Sequence, residues 1–375
     1  MALRLNFFTS CAGNYLAMAR VLANSIRTYH PDSKIVLLLC DRLPDFVKPE
    51  QEPFDAIIQT EDLPIPNKKA WIFKHNIPEL CTGVKGIAFR EIFRRFNFDN
   101  LVYLDPDTVL FSPLKAVEEA LAHADIILTP HVTVPIKHGT PGLIELDWMS
   151  QGVYNLGFLA VKNSAEGHRF LTWWAKRCYD HAYYAPTEGL FYDQPFLNFA
   201  PAFFPNTYIL RETNYNAAFW NSRDRKITCR GNAFFVDDQP LAFFHFTHLG
   251  YHEREILEKM DFYGPALTKL VELYYGRLQQ AGSDQVKNSP WWYSRYDDGK
   301  PISDHQRTIY RRLPQLEVRF PDPFQTRPLA HAYRHWYYRH YSLAVLCAKA
   351  WFSLKDITRP VRHLLRPRRP VQLVD

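Results

Sequence analysis

Apolar and polar positions alternate between two periods along the first 250 residues. Residues 3–8 read as a strand, and residues 14–29 place Leu16, Ala19, Ala23 and Ile26 on one helical face. Residues 34–40 form an unbroken apolar run that closes at Asp41. Strand, helix and strand in so short a span make a βαβ unit, whose strands are parallel and covered by helices. Shorter strands are predicted at 54–59, 101–104, 125–129, 151–161 and 243–248, the last alternating inside and outside. Helices are predicted over 78–96 and from an N-capping Ser164 to about residue 183. The pattern predicts an α/β fold: a mixed, mostly parallel sheet with helices on both faces.

Beyond residue 250 the pattern loosens. Residues 253–280 read as helical, 281–290 as a polar linker, and 291–324 as irregular with a turn at Asp297–Pro301. Residues 331–365 are basic, aromatic and helical in pattern. The predicted division is a domain over 1–250 and a helical, basic region over 251–375.

The apolar run Leu101-Val102-Tyr103-Leu104 ends in Asp105-Pro106-Asp107. Pro106 stops the ladder, which leaves two carboxylates on a stiff turn at the sheet edge. Such a pair repels itself unless a cation lies near, and oxygen ligands suit Mg²⁺ or Mn²⁺ completed by phosphates. In the helix before it, Leu80, Val84, Ile87, Ala88, Ile92 and Phe96 share one arc. Lys85 falls inside that arc, where it either meets an anionic partner or snorkels at the helix rim, whereas Arg90 and Arg94 face away.

Composition narrows the chemistry. Aromatics make up 15% of the 375 residues, enough for sugar-packing surfaces as well as for a core. The six cysteines are scattered without a CxxC pair, which predicts reduced thiols in a cytoplasmic protein. No signal-like leader and no bilayer-length apolar run stand out. Residues 291–375 carry 16 Lys+Arg against 7 Asp+Glu, net +9, so the remaining 29 against 32 leave the body at −3. The tail suits an anionic membrane surface, to which residues 341–354 are apolar enough to bind, and equally a solvated role or docking on an acidic partner. No nucleic-acid-binding module is visible, so nucleic acid is not an expected partner.

Four further segments complete a family likeness: Thr9 to Tyr15, Tyr154-Asn155-Leu156-Gly157, Asp193-Gln194-Pro195-Phe196-Leu197-Asn198 and Phe244-His245-Phe246-Thr247. With Asp105-Pro106-Asp107, residues 3–250 resemble a GT-A glycosyltransferase, closest in layout to the retaining family 8 type (galactosyltransferase and glycogenin-like enzymes). The chain departs from that pattern in lacking acidic residues at Ser10-Cys11-Ala12-Gly13. It also lacks the family's Gly-x-x-Lys-Pro-Trp, reading His248-Leu249-Gly250-Tyr251 there.

The resemblance implies a sugar transfer from a nucleotide diphosphate to a glycan or glycolipid acceptor, with bacterial surface polysaccharide the expected product. Asp105, Asp107 and His245 would hold Mn²⁺ in preference to Mg²⁺, with His248 a weaker alternative ligand. Lys85, or failing it Arg90, would meet the diphosphate. Thr9, Asn14, Tyr15 and Asp105 would contact the nucleotide. Asn155, Asp193 and Gln194 would line the sugar pocket. In a retaining enzyme Gln194 lies beneath the anomeric carbon, and in an inverting one Asp193 is the general base. Asn216, Trp220 and Asn221 are acceptor-side candidates. A sugar-1-phosphate nucleotidyltransferase would need a glycine-rich first loop, where this chain has only Gly13. An inactive glycan-binding scaffold is the remaining alternative.

Overall fold

The computed structural model describes residues 3–137, 139–247, 249 and 264–341. The chain divides into two compact units, Met1–Ser294 and Arg295–Asp375.

In the first unit β1 (Phe7–Cys11) leads through α1 (Leu16–Tyr29) to β2 (Ile35–Leu39) and β3 (Ala56–Gln59). Three helices follow, α2 (Lys68–Phe73), α3 (Ile77–Gly83) and α4 (Lys85–Phe96), and then β4 (Asn100–Leu104) and β5 (Thr108–Leu110). The chain continues as α5 (Lys115–His123), β6 (Ile126–Pro130), α6 (Pro141–Gln151), β7 (Tyr154–Lys162) and α7 (Ala165–His181). The central sheet has seven strands in the order Thr207–Ile209, β6, β7, β4, β1, β2, β3. Only β7 runs against its neighbours β4 and β6, and the other pairings are parallel.

Period-two alternation sends each strand's side chains to two covered faces. Phe7, Ile35, Leu37, Val102, Leu104 and Ala160 join one core with Leu16, Leu22 and Ile26 of α1 and Val117 and Leu121 of α5. On the other face Phe8 meets Phe89 of α4 edge-on at 4.7 Å, and Phe89 meets Trp174 of α7. The helices α4 and α7 touch backbone to backbone. A Cβ at Gly86 would lie 2.6 Å from the Ala175 Cα, so only glycine fits.

Several expectations shift. The first strand begins at Phe7 because Asn6 is held by Asn100 through side-chain bonds. The helix expected over 78–96 breaks at Val84, with Asn76 accepting from Glu79 N to cap its first half. Phe243–His245 is buried at every position, because it lies between β5 and Ala217–Ala218, so it does not alternate.

The boundary expected at 250 moves to Ser294. Pro265–Gln280 places Leu267, Leu270, Val271 and Tyr274 in the first unit's core, where Tyr274 stacks on Phe246 at 4.1 Å. The expected linker at 281–290 contains a helical turn, Ser283–Val286, whose Val286 is buried in the same core.

The second unit contains helices Asp304–Arg312 and Gln315–Arg319 and a helical stretch over 333–341. It therefore has more regular structure than the irregular run expected from 291 to 324. Ser303 and Gln306 form a capping box, and the Tyr310 and Tyr333 hydroxyls donate to the Phe320 and Gln306 carbonyls. His248, 250–263 and 342–375, with most of the apolar stretch 341–354, lie outside the described residues. No helix among the described residues is long and apolar enough to cross a membrane.

His30, at the end of α1, accepts from Leu114 N through Nε2 at 3.0 Å, and burial pulls its imidazole down to about 4. An unfolded chain takes up that proton near pH 6.5 while the folded one refuses it. Stability should therefore fall with pH by up to about 1.4 kcal/mol per unit between roughly pH 6.5 and 4. Urea titrations across that window should give a shallower slope for His30→Gln, which keeps an acceptor but loses the titration. An unchanged slope would contradict this account of His30.

Candidate active site

The site begins with the turn after β4. Asp105 N donates to Gly157 O, and Thr108 N donates back to Asp105 O at 3.0 Å, which closes a tight turn over Pro106 and Asp107. The return strand β5 pairs antiparallel with Phe243–His245, and Thr108 lies opposite His245. Phe246 N then donates to Asp107 O at 2.8 Å. This register delivers the imidazole to the carboxylates. His245 Nε2 lies 3.1 Å from Asp107 Oδ1 and 3.7 Å from Asp105 Oδ2.

Room for that ring comes from Gly157. A Cβ there would lie 2.4 Å from His245 Cε1 and 2.7 Å from Asn155 Oδ1. The glycine of Tyr154-Asn155-Leu156-Gly157 is thus a steric requirement of the histidine.

Lys85 opens α4 and points inward, 2% exposed, with Nζ 3.1 Å from Asp193 Oδ2 and 3.4 Å from Asp105 Oδ1. It also donates to Leu156 O at 3.0 Å and lies over the Tyr103 ring at 4.2 Å. Tyr103 in turn donates to Asp105 Oδ1 at 2.6 Å. Burial alone would pull the Lys85 ammonium down, but Asp105 and Asp193 reverse this and hold it above its usual value. Burial pushes Asp193 up to about 6 against the pull of Lys85. For His245, burial lowers the imidazole, while Asp107 and then Asp105 raise it above the ordinary value.

Asp105, Asp107 and His245 each offer a ligand atom, all within 4.8 Å of one another. Two carboxylates and one imidazole suit Mn²⁺ better than Mg²⁺. A divalent ion binding between these groups would compete with the proton that the two carboxylates favour on His245.

Asn155 and Gln194 are brought together beside this cluster. Gln194 Oε1 accepts from Leu156 N at 3.0 Å and faces Asn155 Nδ2 at 3.4 Å, while its Nε2 donates to Gln151 O. Both ends of the Gln194 amide are therefore engaged. Asn155 Nδ2 also lies 3.1 Å from His131 Nε2, at the end of β6. Burial pulls His131 down to about 3, so its ring is neutral and Nε2 accepts.

Other candidates fall elsewhere. Arg90 is exposed on the far side of α4, which settles the rivalry with Lys85 for the inward position. Thr9 is buried within β1, its hydroxyl without a hydrogen-bond partner among the described residues. Asn14 and Tyr15 are half-buried in the turn Gly13–Tyr15 after β1. Asp41, one strand over, accepts from Gly13 N and from Trp292 N. Asn216 and Asn221 are buried and spend their amides inside the fold, on Thr129, Asn155, the His131 carbonyl and the Asn216 carbonyl. Trp220 is half-buried and edge-on to His245 at 5.2 Å. Sequence reasoning missed His131 and Trp148. The only cue was the position of His131 directly after an apolar strand, the same place that Asp105 occupies after β4.

No family model matches the chain. Two proteins of Bacillus subtilis (strain 168) align with it, both described as uncharacterized. YfnF is 26% identical over 205 residues, covering 53% of this chain and 67% of its own length. YfnD is 21% identical over 249 residues, covering 64% and 77%. Among solved structures, the galactosyltransferase LgtC in complex with donor and acceptor sugar analogs superposes on 76% of this chain and 97% of its own. The TM-score is 0.45 and the identity 15%.

Gly157→Ala should push His245 away from the carboxylates at a cost of about 1–3 kcal/mol from overpacking. Thermal melts with and without Mn²⁺ should show a folded variant whose melting temperature no longer rises with the metal. A retained metal response would mean that the ring does not need this glycine.

Proposed function

We propose that this chain is a metal-dependent glycosyltransferase that moves a sugar from a nucleotide diphosphate to a glycan or glycolipid acceptor. Bacterial surface polysaccharide is the expected setting, with the acceptor met at the inner face of the membrane. The observation that carries this reading is the convergence of Asp105, Asp107 and His245 next to the buried pair of Lys85 and Asp193. The ordered sequence segments that resemble family 8 enzymes point the same way.

Asp105, Asp107 and His245 would hold the divalent ion, which when bound neutralises the departing diphosphate as a Lewis acid. Lys85 is ion-paired with Asp105 and Asp193 and holds them in place, acting as an internal counter-ion rather than as a free arm in a cleft. Asp193 is 2% exposed and bonded to that lysine, which makes it a poor base for an acceptor hydroxyl. This supports retention of configuration over inversion. Asn155 and Gln194 set the wall of the donor-sugar pocket, while Asn14 and Tyr15 face the nucleotide.

Purified protein with Mn²⁺ should hydrolyse one of the UDP-, GDP-, ADP- or dTDP-sugars slowly and transfer its sugar faster once an acceptor is supplied. Asp107→Ala should lose turnover by at least about two orders of magnitude with its circular dichroism unchanged. Full turnover in that variant would refute the metal role, and wild-type protein inert toward every donor would favour a glycan-binding scaffold.

A further inference from the structure

Two tryptophans stand half-buried beside the charged cluster. Trp220, in the turn Phe219–Asn221, lies edge-on to His245, with ring centres 5.2 Å apart. Trp148, on α6, stacks on the neutral His131 ring at 4.3 Å and 20°. The two indoles are 6.4 Å apart, and Trp220 also meets His131 at 5.7 Å. His245, Trp220, His131 and Trp148 therefore form one continuous aromatic wall that runs outward from the candidate metal ligand.

The helix that ends this wall is unusual. No residue of α6 is buried, and Leu143, Leu146 and Met149 are each more than half exposed. Trp148 stacks inward from it, and the Gln151 and Met149 carbonyls accept from Gln194 and Asn198. Trp220 spends its N–H on the His131 carbonyl at 3.1 Å. The Trp148 N–H has no hydrogen-bond partner among the described residues. Trp148 stacks on His131 with its N–H to spare, and Trp220 links it to His245, so the pair offers what a sugar ring needs. Its C–H face packs on the ring, and a hydroxyl takes the N–H.

Resting on the glycosyl-transfer reading above, we propose that Trp148 and Trp220 form the platform for a pyranose ring of the acceptor. The donor end of the site is defined by two buried pairs, Lys85 with Asp193 and Asn155 with Gln194. The aromatic wall leads away from them to an exposed helix. An extended acceptor can enter there, while the compact donor stays against the carboxylates.

Ligand-observed saturation-transfer NMR on the full chain with Mn²⁺ tests this. The probes are methyl β-D-glucopyranoside, methyl β-D-galactopyranoside and the methyl glycoside of N-acetylglucosamine in one arm, and UDP-glucose, UDP-galactose and GDP-mannose in the other. At least one glycoside should receive saturation on the C–H protons of one ring face. Trp148→Ala should weaken its binding by about tenfold, and Trp148→Phe, which keeps a ring without the N–H, by less. The dissociation constants of the nucleotide sugars should not move. The platform falls if no glycoside is saturated, if both variants bind like wild type, or if only the nucleotide-sugar arm weakens. Glycosides that bind to a protein which takes no nucleotide sugar would instead sink the transferase reading and leave the platform standing.

Discussion

The constraint on which the site depends is a shortage of positive charge. Three carboxylates, Asp105, Asp107 and Asp193, converge on one buried ammonium, Lys85, and one imidazole. Burying an unmatched charge costs several kcal/mol, so such a group is retained only where geometry supplies partners. Lys85 answers for two of the three carboxylates and leaves Asp107 to His245. With His245 neutral the cluster is two charges short, which is the deficit that one divalent ion removes. The same electrostatics make the cluster a receptor for a cation.

Much of this was legible in the chain. Apolar strands ending in carboxylates, an inward lysine on an amphipathic helix and a glycine one strand over are local signals, and each found its place. The registers that join them are not local. That His245 lies opposite Thr108 depends on an antiparallel pairing across more than a hundred residues. His131 follows β6 and Trp148 lies on a mostly exposed helix, and only the fold stacks the two rings on each other. The expected linker at 281–290 misled because its surface is polar, although a single turn buries Val286.

The first loop is held in place from a neighbouring strand. Where the resemblance implies acidic residues after β1, Asp41 reaches across from the end of β2 to hold Gly13 N at 3.1 Å. The same carboxylate receives Trp292 N at 2.8 Å, and Trp291 donates its indole N–H to Cys40 O. The last residues of the first unit thereby cover the strand ends beside the loop. This is a physical reason why that unit extends well past the final strand.

Gly86 never approaches the charged cluster, yet it fixes how far α4 stands from α7, and Lys85 is its immediate neighbour. With backbone resting on backbone at Ala175, the two helices have no slack to absorb a methyl group. A substitution at a position that meets none of the charged side chains would thus be felt in the cluster.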